Sequence, residues 1–144
     1  MKETTKAVYN VLSSDSTLLD MLTAQPPFNN EDGASQAKNS IVPSDVVRKA
    51  MSTPLISIQE GSRLKIGSKL ISETLFIRCY NENSKSYVEI NNIVDKIVTL
   101  LDGVEISIEG KVLVKIEWEA TLPGLEDEPL DMKFKEARFR VLIL

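Results

Sequence analysis

The segment with the clearest periodicity is an apolar stripe at helical spacing in residues 84–101. Aliphatic residues recur there three and four positions apart, while polar residues fill the opposite side. The stripe consists of Ile90, Ile93, Val94, Ile97, Val98 and Leu101. Ser84 or Ser86 can cap the start of a helix, and Asp102-Gly103 can end it. Because a helix with one apolar face must cover another layer, the stripe predicts a helix lying on a sheet.

Two alternating segments precede this helix and predict strands. Residues 54–59 form the first, entered from Pro54 and closed by Glu60-Gly61. Residues 68–81 form the second, with aliphatic side chains and Cys79 on one side. Its other side is mixed rather than wholly polar, so we expect that side to be partly covered.

More strands are expected after the helix. Residues 104–108 and 112–120 both alternate, with a turn at Glu109-Gly110 between them and Trp118 facing inward. Residues 122–129 are rich in proline and carboxylates, which predicts an acidic loop.

The last segment, residues 132–144, also predicts a strand, but its apolar parity changes along its length. Met132 and Phe134 fall on one parity, whereas Phe139 and the aliphatic residues near it fall on the other. A bulge near Glu136 would reconcile the two halves.

The first third of the chain is predicted to be helical, with one long interruption. Residues 5–12 give a helical stripe, and a second short helix follows, capped by Asp15 or Ser16. Residues 24–42 contain no periodic pattern and predict a loop, read equally well as an adaptable contact loop or as a disordered insertion. Residues 44–51 predict a short helix capped by Ser44.

These elements predict an α+β fold. Strands close together in sequence favour an antiparallel, possibly mixed, sheet of about four to five strands with helices packed on one face. The chain of 144 residues fits one domain, and we expect a single α+β domain over residues 1–144 with a long loop at about 24–42.

Composition removes several classes of function. The chain has no histidine, the commonest general base and a common metal ligand, so a familiar nucleophile–base pair has no candidate. Cys79 is the only cysteine, which excludes an internal disulfide and a Cys/His zinc site. The scattered glycines build no phosphate-binding loop. We therefore expect no catalytic residue, no cofactor and no metal.

Charge and hydropathy suggest where the chain resides. A net charge of −4 argues against binding to nucleic-acid phosphates and against attraction to an anionic membrane. No run approaches the roughly 20 apolar residues of a membrane span, and no apolar stretch of signal-peptide type follows residues 1–6. We expect the chain to stay in the cytoplasm in which it is made.

The carboxylates of the acidic loop are a weak candidate for a cation site. Glu126, Asp127, Glu128 and Asp131 could hold a hard cation, but the ligand spacing of a calcium loop is absent. A solvated turn is the favoured interpretation. Trp118, among strand valines and isoleucines, is more typical of a core or an interface than of a ligand platform.

The apolar end of the chain suggests contact with another subunit. Residues 141–144 are all aliphatic, so the strand is either buried on both faces or partly covered by a neighbour. Packing at the sheet edge within one subunit is the alternative, and the interface is favoured. The candidate interface residues are Phe76, Tyr80, Leu113, Phe139, Val141, Leu142, Ile143 and Leu144.

The order of these features resembles the tail terminator proteins of tailed bacteriophages, also called tail-completion or head-to-tail joining proteins, and those of related phage-tail-like particles. The resemblance covers most of the chain from Thr4 onward and rests on pattern and length. The loop at residues 26–40 and the predicted helix at residues 44–51 are longer than the corresponding parts of that pattern. The features that carry it are the helix 5–12, Asp15-Ser16-Thr17-Leu18-Leu19, Pro54-Leu55-Ile56-Ser57-Ile58, the strand 71–80 followed by the helix through 90–97, and Phe139-Arg140-Val141-Leu142-Ile143.

The resemblance implies a structural role without catalysis. Subunits of such proteins form a ring, typically a hexamer, that caps the completed tail tube, stops its polymerisation and presents the surface joining tail to head. The implied partners are copies of the chain itself, the tail-tube protein and a head-completion or neck protein. DNA would only pass through the channel without specific binding, and no membrane is involved. The implied location is the tail and neck region of the virion, after assembly in the cytoplasm of the bacterial host.

Two other functions remain open at the level of the sequence. The first is another neck or tail structural subunit of similar size, such as a connector or a tube protein. The second is a cytoplasmic ligand-binding domain, or an enzyme based on carboxylates, on an unrelated α+β fold.

Overall fold

The computed structural model describes residues 3–22, 40–47, 53–67, 70–108 and 112–144. The helices and the long strands follow the order that the sequence predicts, with two short strands in addition. The helices are α1 (Glu3–Ser13), α2 (Ser16–Leu22) and α3 (Val88–Leu101), with a short 3-10 helix at Ser44–Val46. The strands are β1 (Ile41–Pro43), β2 (Leu55–Ile66), β3 (Leu70–Glu82), β4 (Glu105–Ile108), β5 (Val112–Thr121), β6 (Leu125–Asp127) and β7 (Met132–Ile143).

The described strands form one mixed sheet of seven strands in the order β1-β2-β3-β7-β5-β4, with β6 also paired to β7. β1 runs parallel to β2, and the other pairs are antiparallel. The prediction of four to five strands was therefore too low. The additional strands include β1 and β6, and each of these has three residues, which is too short to show an alternating pattern.

Helix α3 lies on the sheet as its stripe predicts. Ile90, Ile93, Val94, Ile97 and Leu101 are fully buried in a core that α1, α2 and one face of the sheet complete. The helix begins at Val88 rather than at residue 84. The Ser84 hydroxyl donates to Glu82 at 3.4 Å in the preceding turn, and the Ser86 hydroxyl accepts the Val88 N–H at 3.4 Å. Helices α1 and α2 confirm the N-terminal prediction, and Asp15 caps α2 by accepting the Leu18 N–H at 2.9 Å.

Strand β2 continues well past the point at which it was predicted to end. The pairing with β3 shifts register between Glu60 and Arg63, which marks a bulge containing Gly61. A Cβ at Gly61 would lie 2.6 Å from the Phe76 ring, so the glycine permits close packing inside the strand. Read from sequence alone, Glu60-Gly61 was mistaken for a turn.

Strand β7 has no bulge near Glu136. Its pairing with β3 is continuous from Met132 to Ile143. The parity changes because each half faces a different apolar cluster. The second cluster lies on the sheet face turned away from the helices, which we call the outer face, and it contains Leu55, Tyr80, Met132 and Phe134.

Two other local predictions are corrected by the structure. The irregularity expected in β7 lies instead in β5, between Trp118 and Ala120, and Trp118 is 44% exposed rather than inward-facing. The acidic loop 122–129 contains β6, which pairs with β7.

Of the helix predicted for residues 44–51, the described part is a 3-10 turn at Ser44–Val46, followed by an extended Val47, and Ser44 makes no side-chain cap. Residues 48–52 lie outside the described residues. Of the loop 24–42, residues 24–39 also lie outside them, and the last positions form β1.

Candidate assembly surfaces

The described residues provide little for catalysis or for metal binding. Among them, no group of three or more His, Cys, Asp or Glu side chains could hold a metal ion. Burial raises the pKa of the Cys79 thiol well above its ordinary range, with a further contribution from the charge of Glu89. In the same part of the chain, no helix has the length and apolar character needed to span a membrane.

Two of the four acidic side chains near β6, Asp127 and Asp131, have structural partners. Asp127 accepts the Leu130 N–H at 3.1 Å, and Asp131 accepts from the Asn83 amide at 2.8 Å. Asp131 also has a φ of 54°, a left-handed conformation that aspartate tolerates in turns. These contacts hold a tight turn between β6 and β7.

The eight residues predicted for an interface divide between the core and the surface. Phe139 and Val141 are fully buried beneath the helices, and Tyr80 is buried in the outer-face cluster. Phe76, Leu142 and Ile143 are half-buried, whereas Leu113 and Leu144 are exposed. β7 is a central strand between β3 and β5. Every second side chain at its apolar end is therefore buried within the subunit and needs no partner chain.

An apolar patch nevertheless remains at one end of the outer face. Leu64 is paired with Ser72, Ser72 with Leu142, and Leu142 with Lys115, so that row crosses four strands. The Leu144 N–H donates to the Leu113 carbonyl at 3.0 Å beside this row. We call this surface the distal patch; its members are Leu64, Ile66, Leu113, Leu142 and Leu144.

Four of the large apolar residues that are exposed in the described part of the chain belong to the distal patch, namely Leu64, Ile66, Leu113 and Leu144. Leu64 is 65% exposed, Leu144 is 61% exposed and Ile66 is 46% exposed. The sequence predicted the members of the distal patch on β5 and at the end of the chain. It did not predict Leu64 and Ile66, because the strand containing them was predicted to end before Gly61. The alternation of Arg63, Leu64, Lys65 and Ile66 was the signal that could have found them.

The middle of the outer face is occupied by charges that satisfy one another. Glu136 is almost fully buried and accepts from Arg78 at 2.8 Å and from Arg138 at 2.9 Å. The Arg78 guanidinium lies 4.4 Å from the centre of the Phe134 ring. Burial lowers the pKa of Arg78, but its hydrogen bonds to Glu136 and Tyr80 outweigh this, and the net pKa is raised. The outer face therefore holds the Arg78 guanidinium in its charged form.

A groove runs along the edge of β4 that faces away from β5, between this strand and α1. It encloses about 640 Å³. Its floor is formed by the half-buried Ile106 and Ile108, and the α1 side contributes Ala7, Val11, Glu3 and Lys6. The groove has no convergent set of catalytic side chains, and its apolar floor beside an open strand edge is suited to a polypeptide.

Comparison with known proteins gives one informative result. No family model matches the chain, and no curated protein matches it. Among solved structures, the fold is similar to that of a chain described as "Virion of native gene transfer agent (GTA) particle", with a TM-score of 0.69 and 12% sequence identity. The similarity covers 96% of this chain and 92% of that chain. The two chains thus share an α+β fold over nearly their whole lengths.

Proposed function

We propose that this protein is a structural component of a phage-like virion, and that it acts as a tail terminator. Copies of it form a ring, of six subunits in the arrangement typical of such proteins, on the end of the completed tail tube. The ring stops polymerisation of the tube and provides the surface to which the head-completion protein binds. DNA passes through its channel without specific binding.

The observation that carries this proposal is the fold shared with a chain of the gene transfer agent virion over nearly the full length of both. A shared fold does not by itself specify a function. The order of elements, which resembles that of tail terminators, supports the same role.

The distal patch supports assembly with other subunits. Exposed leucines and isoleucines are unfavourable in water, and covering one contributes roughly 1.5–3 kcal/mol. Of the eight interface residues expected from sequence, we retain Leu113, Leu142 and Leu144 as members of the distal patch. Ile143 packs against the core on the helix side of the sheet, and Phe76 lies further along the outer face beside Arg138. Tyr80, Phe139 and Val141 are assigned to the subunit's own core.

A binding experiment with purified protein and tail tubes of the same particle tests this proposal. We expect electron microscopy to show a ring of the wild-type protein on one end of each tube. The double variant Leu64→Lys/Leu144→Lys should fail to bind, because both changes place a charge in the distal patch.

The matched control is Val88→Lys, which also adds a lysine at an exposed aliphatic position. Val88 is 63% exposed at the start of α3, away from the distal patch. This variant should cap tubes as the wild type does. Wild-type protein that decorates the sides of tubes, or does not bind them, would contradict the proposal.

A further inference from the structure

We propose that neighbouring subunits join edge to edge, with the distal half of β2 of one copy pairing with β4 of the next, so that one sheet continues from subunit to subunit. This inference rests on the proposed function, because it names the contact that builds the ring. The sheet has two open edges. Among the described residues, β1 covers β2 only at Ile56–Ile58, and no strand pairs with the outer edge of β4.

The hydrogen-bond pattern shows which backbone groups are free on β4. The Ile116 N–H donates to the Val104 carbonyl at 2.9 Å, so these opposite residues are hydrogen-bonded and every second residue of β4 bonds to β5. Ile106 therefore bonds to β5, as does Ile108. Glu105 and Ser107 turn their N–H and C=O groups outward, into the mouth of the groove beside α1.

The outward backbone groups of β2 follow from the hydrogen bonds at its start. The Ile56 N–H donates to the Ser40 carbonyl at 2.7 Å, so Ile56 points away from β3. The β3–β7 pairing has no register shift, so the backbone N–H and C=O groups of β3 point alternately toward β7 and toward β2. Those of Leu70 and Ser72 point toward β2 and bond to Ile66 and Leu64. The backbone groups of Arg63 and Lys65 are left outward. An open edge of this kind is a template for another strand.

Strand direction is compatible with a ring built from one repeated contact. The path from β2 through β3, β7 and β5 to β4 reverses direction at each of four antiparallel pairs, so β2 and β4 run the same way. A rotation about an axis along the strands can bring β2 of one copy beside β4 of another with the same sheet face inward. Repeating that rotation gives a heterologous contact that can close into a ring.

Charge also disfavours pairing of two β2 edges. Arg63 forms an ion pair with Glu73 at 2.7 Å, and with Lys65 it lies on the helix side of the sheet, whereas Glu105 pairs with Lys115 on the outer face. A β2–β2 pair would bring Lys65 close to a second Lys65, which is unfavourable, whereas at the β4 edge Lys65 would enter the groove that contains Glu3 together with Lys6. The groove then receives the side chains of the incoming strand over Ile106 and Ile108.

Two proline variants test the edges separately. Ser107→Pro removes an outward N–H from β4, and Lys65→Pro removes one from β2. Both leave the internal ladder intact, because proline is tolerated where the N–H of an edge strand faces outward. The matched controls Ser107→Ala and Lys65→Arg keep the N–H. Circular dichroism of each variant should match the wild type.

Sedimentation at concentrations where the wild type assembles should show each proline variant as a monomer and each control as a full assembly. An equimolar mixture of the two proline variants should give a species of twice the 16.0 kDa subunit mass, because one intact β2 edge meets one intact β4 edge. Self-association of Lys65→Pro alone would indicate a β4–β4 dimer and overturn the inference. A wild-type protein that stays monomeric would also overturn it. Proline variants that cap tubes normally would overturn it too, but would leave the proposed function standing.

Discussion

Replacing Val94 by aspartate should unfold most of the protein population under mild denaturing conditions. Val94 is fully buried where α3 meets the sheet. An aspartate there would bury a carboxylate among aliphatic side chains without a cation to pair with it. Changes that leave an uncompensated buried charge cost about 3–5 kcal/mol, a large fraction of the stability of an ordinary domain.

Urea denaturation followed by circular dichroism measures this effect. The control is Asn92→Asp, which places the same carboxylate on the exposed side of the same helix. It should change the free energy of unfolding by no more than about 0.5 kcal/mol. Equal midpoints for the two variants would mean that α3 does not lie on the sheet in this orientation.

Truncating Phe139 to alanine should destabilise the isolated subunit rather than only its assembly. Phe139 is the largest fully buried side chain, and its removal leaves a cavity beneath the helices. Phenylalanine-to-alanine changes in cores cost about 3–5 kcal/mol. The urea midpoint of the monomer should therefore fall sharply.

Leu144→Ala provides the comparison for Phe139→Ala, because both residues were expected at an interface from sequence. Leu144 is 61% exposed, so its truncation should leave the urea midpoint nearly unchanged while weakening tube capping. A Phe139→Ala monomer as stable as the wild type would show that this side chain serves an interface after all.

Long periodic elements could be predicted from sequence, and short or interrupted ones could not. The stripe of α3 and the alternation of β3 were read correctly because many residues of each face one apolar layer. β1 and β6 were missed because their backbone groups pair with neighbouring strands over only three residues, and no side-chain pattern records this.

The errors in β2 and β7 have different physical origins. The glycine within β2 was taken for the end of the strand, although it permits close packing against Phe76, and the parity change in β7 was taken for a bulge. The sheet instead has a second apolar cluster on its outer face, around Phe134 and Tyr80. Single-strand patterns do not show which parts of a sheet are covered on both sides.

The candidate surfaces were predictable only where they coincide with a sequence signal. The aliphatic end of the chain pointed to Leu142 and Leu144. The open β4 edge and its groove were not predictable, because they depend on strand order and on where α1 packs. No local pattern at Ser107 or Lys65 distinguishes an edge strand from a central one.

The length of tail tubes assembled in the absence of this protein tests the central claim most directly. If the ring occupies the growing end, tubes made without it should run past their normal length, and adding back wild-type protein should restore a uniform length. Electron micrographs of the two preparations, scored as length distributions, provide the measurement. Tubes of normal and uniform length without the protein would contradict the tail terminator assignment.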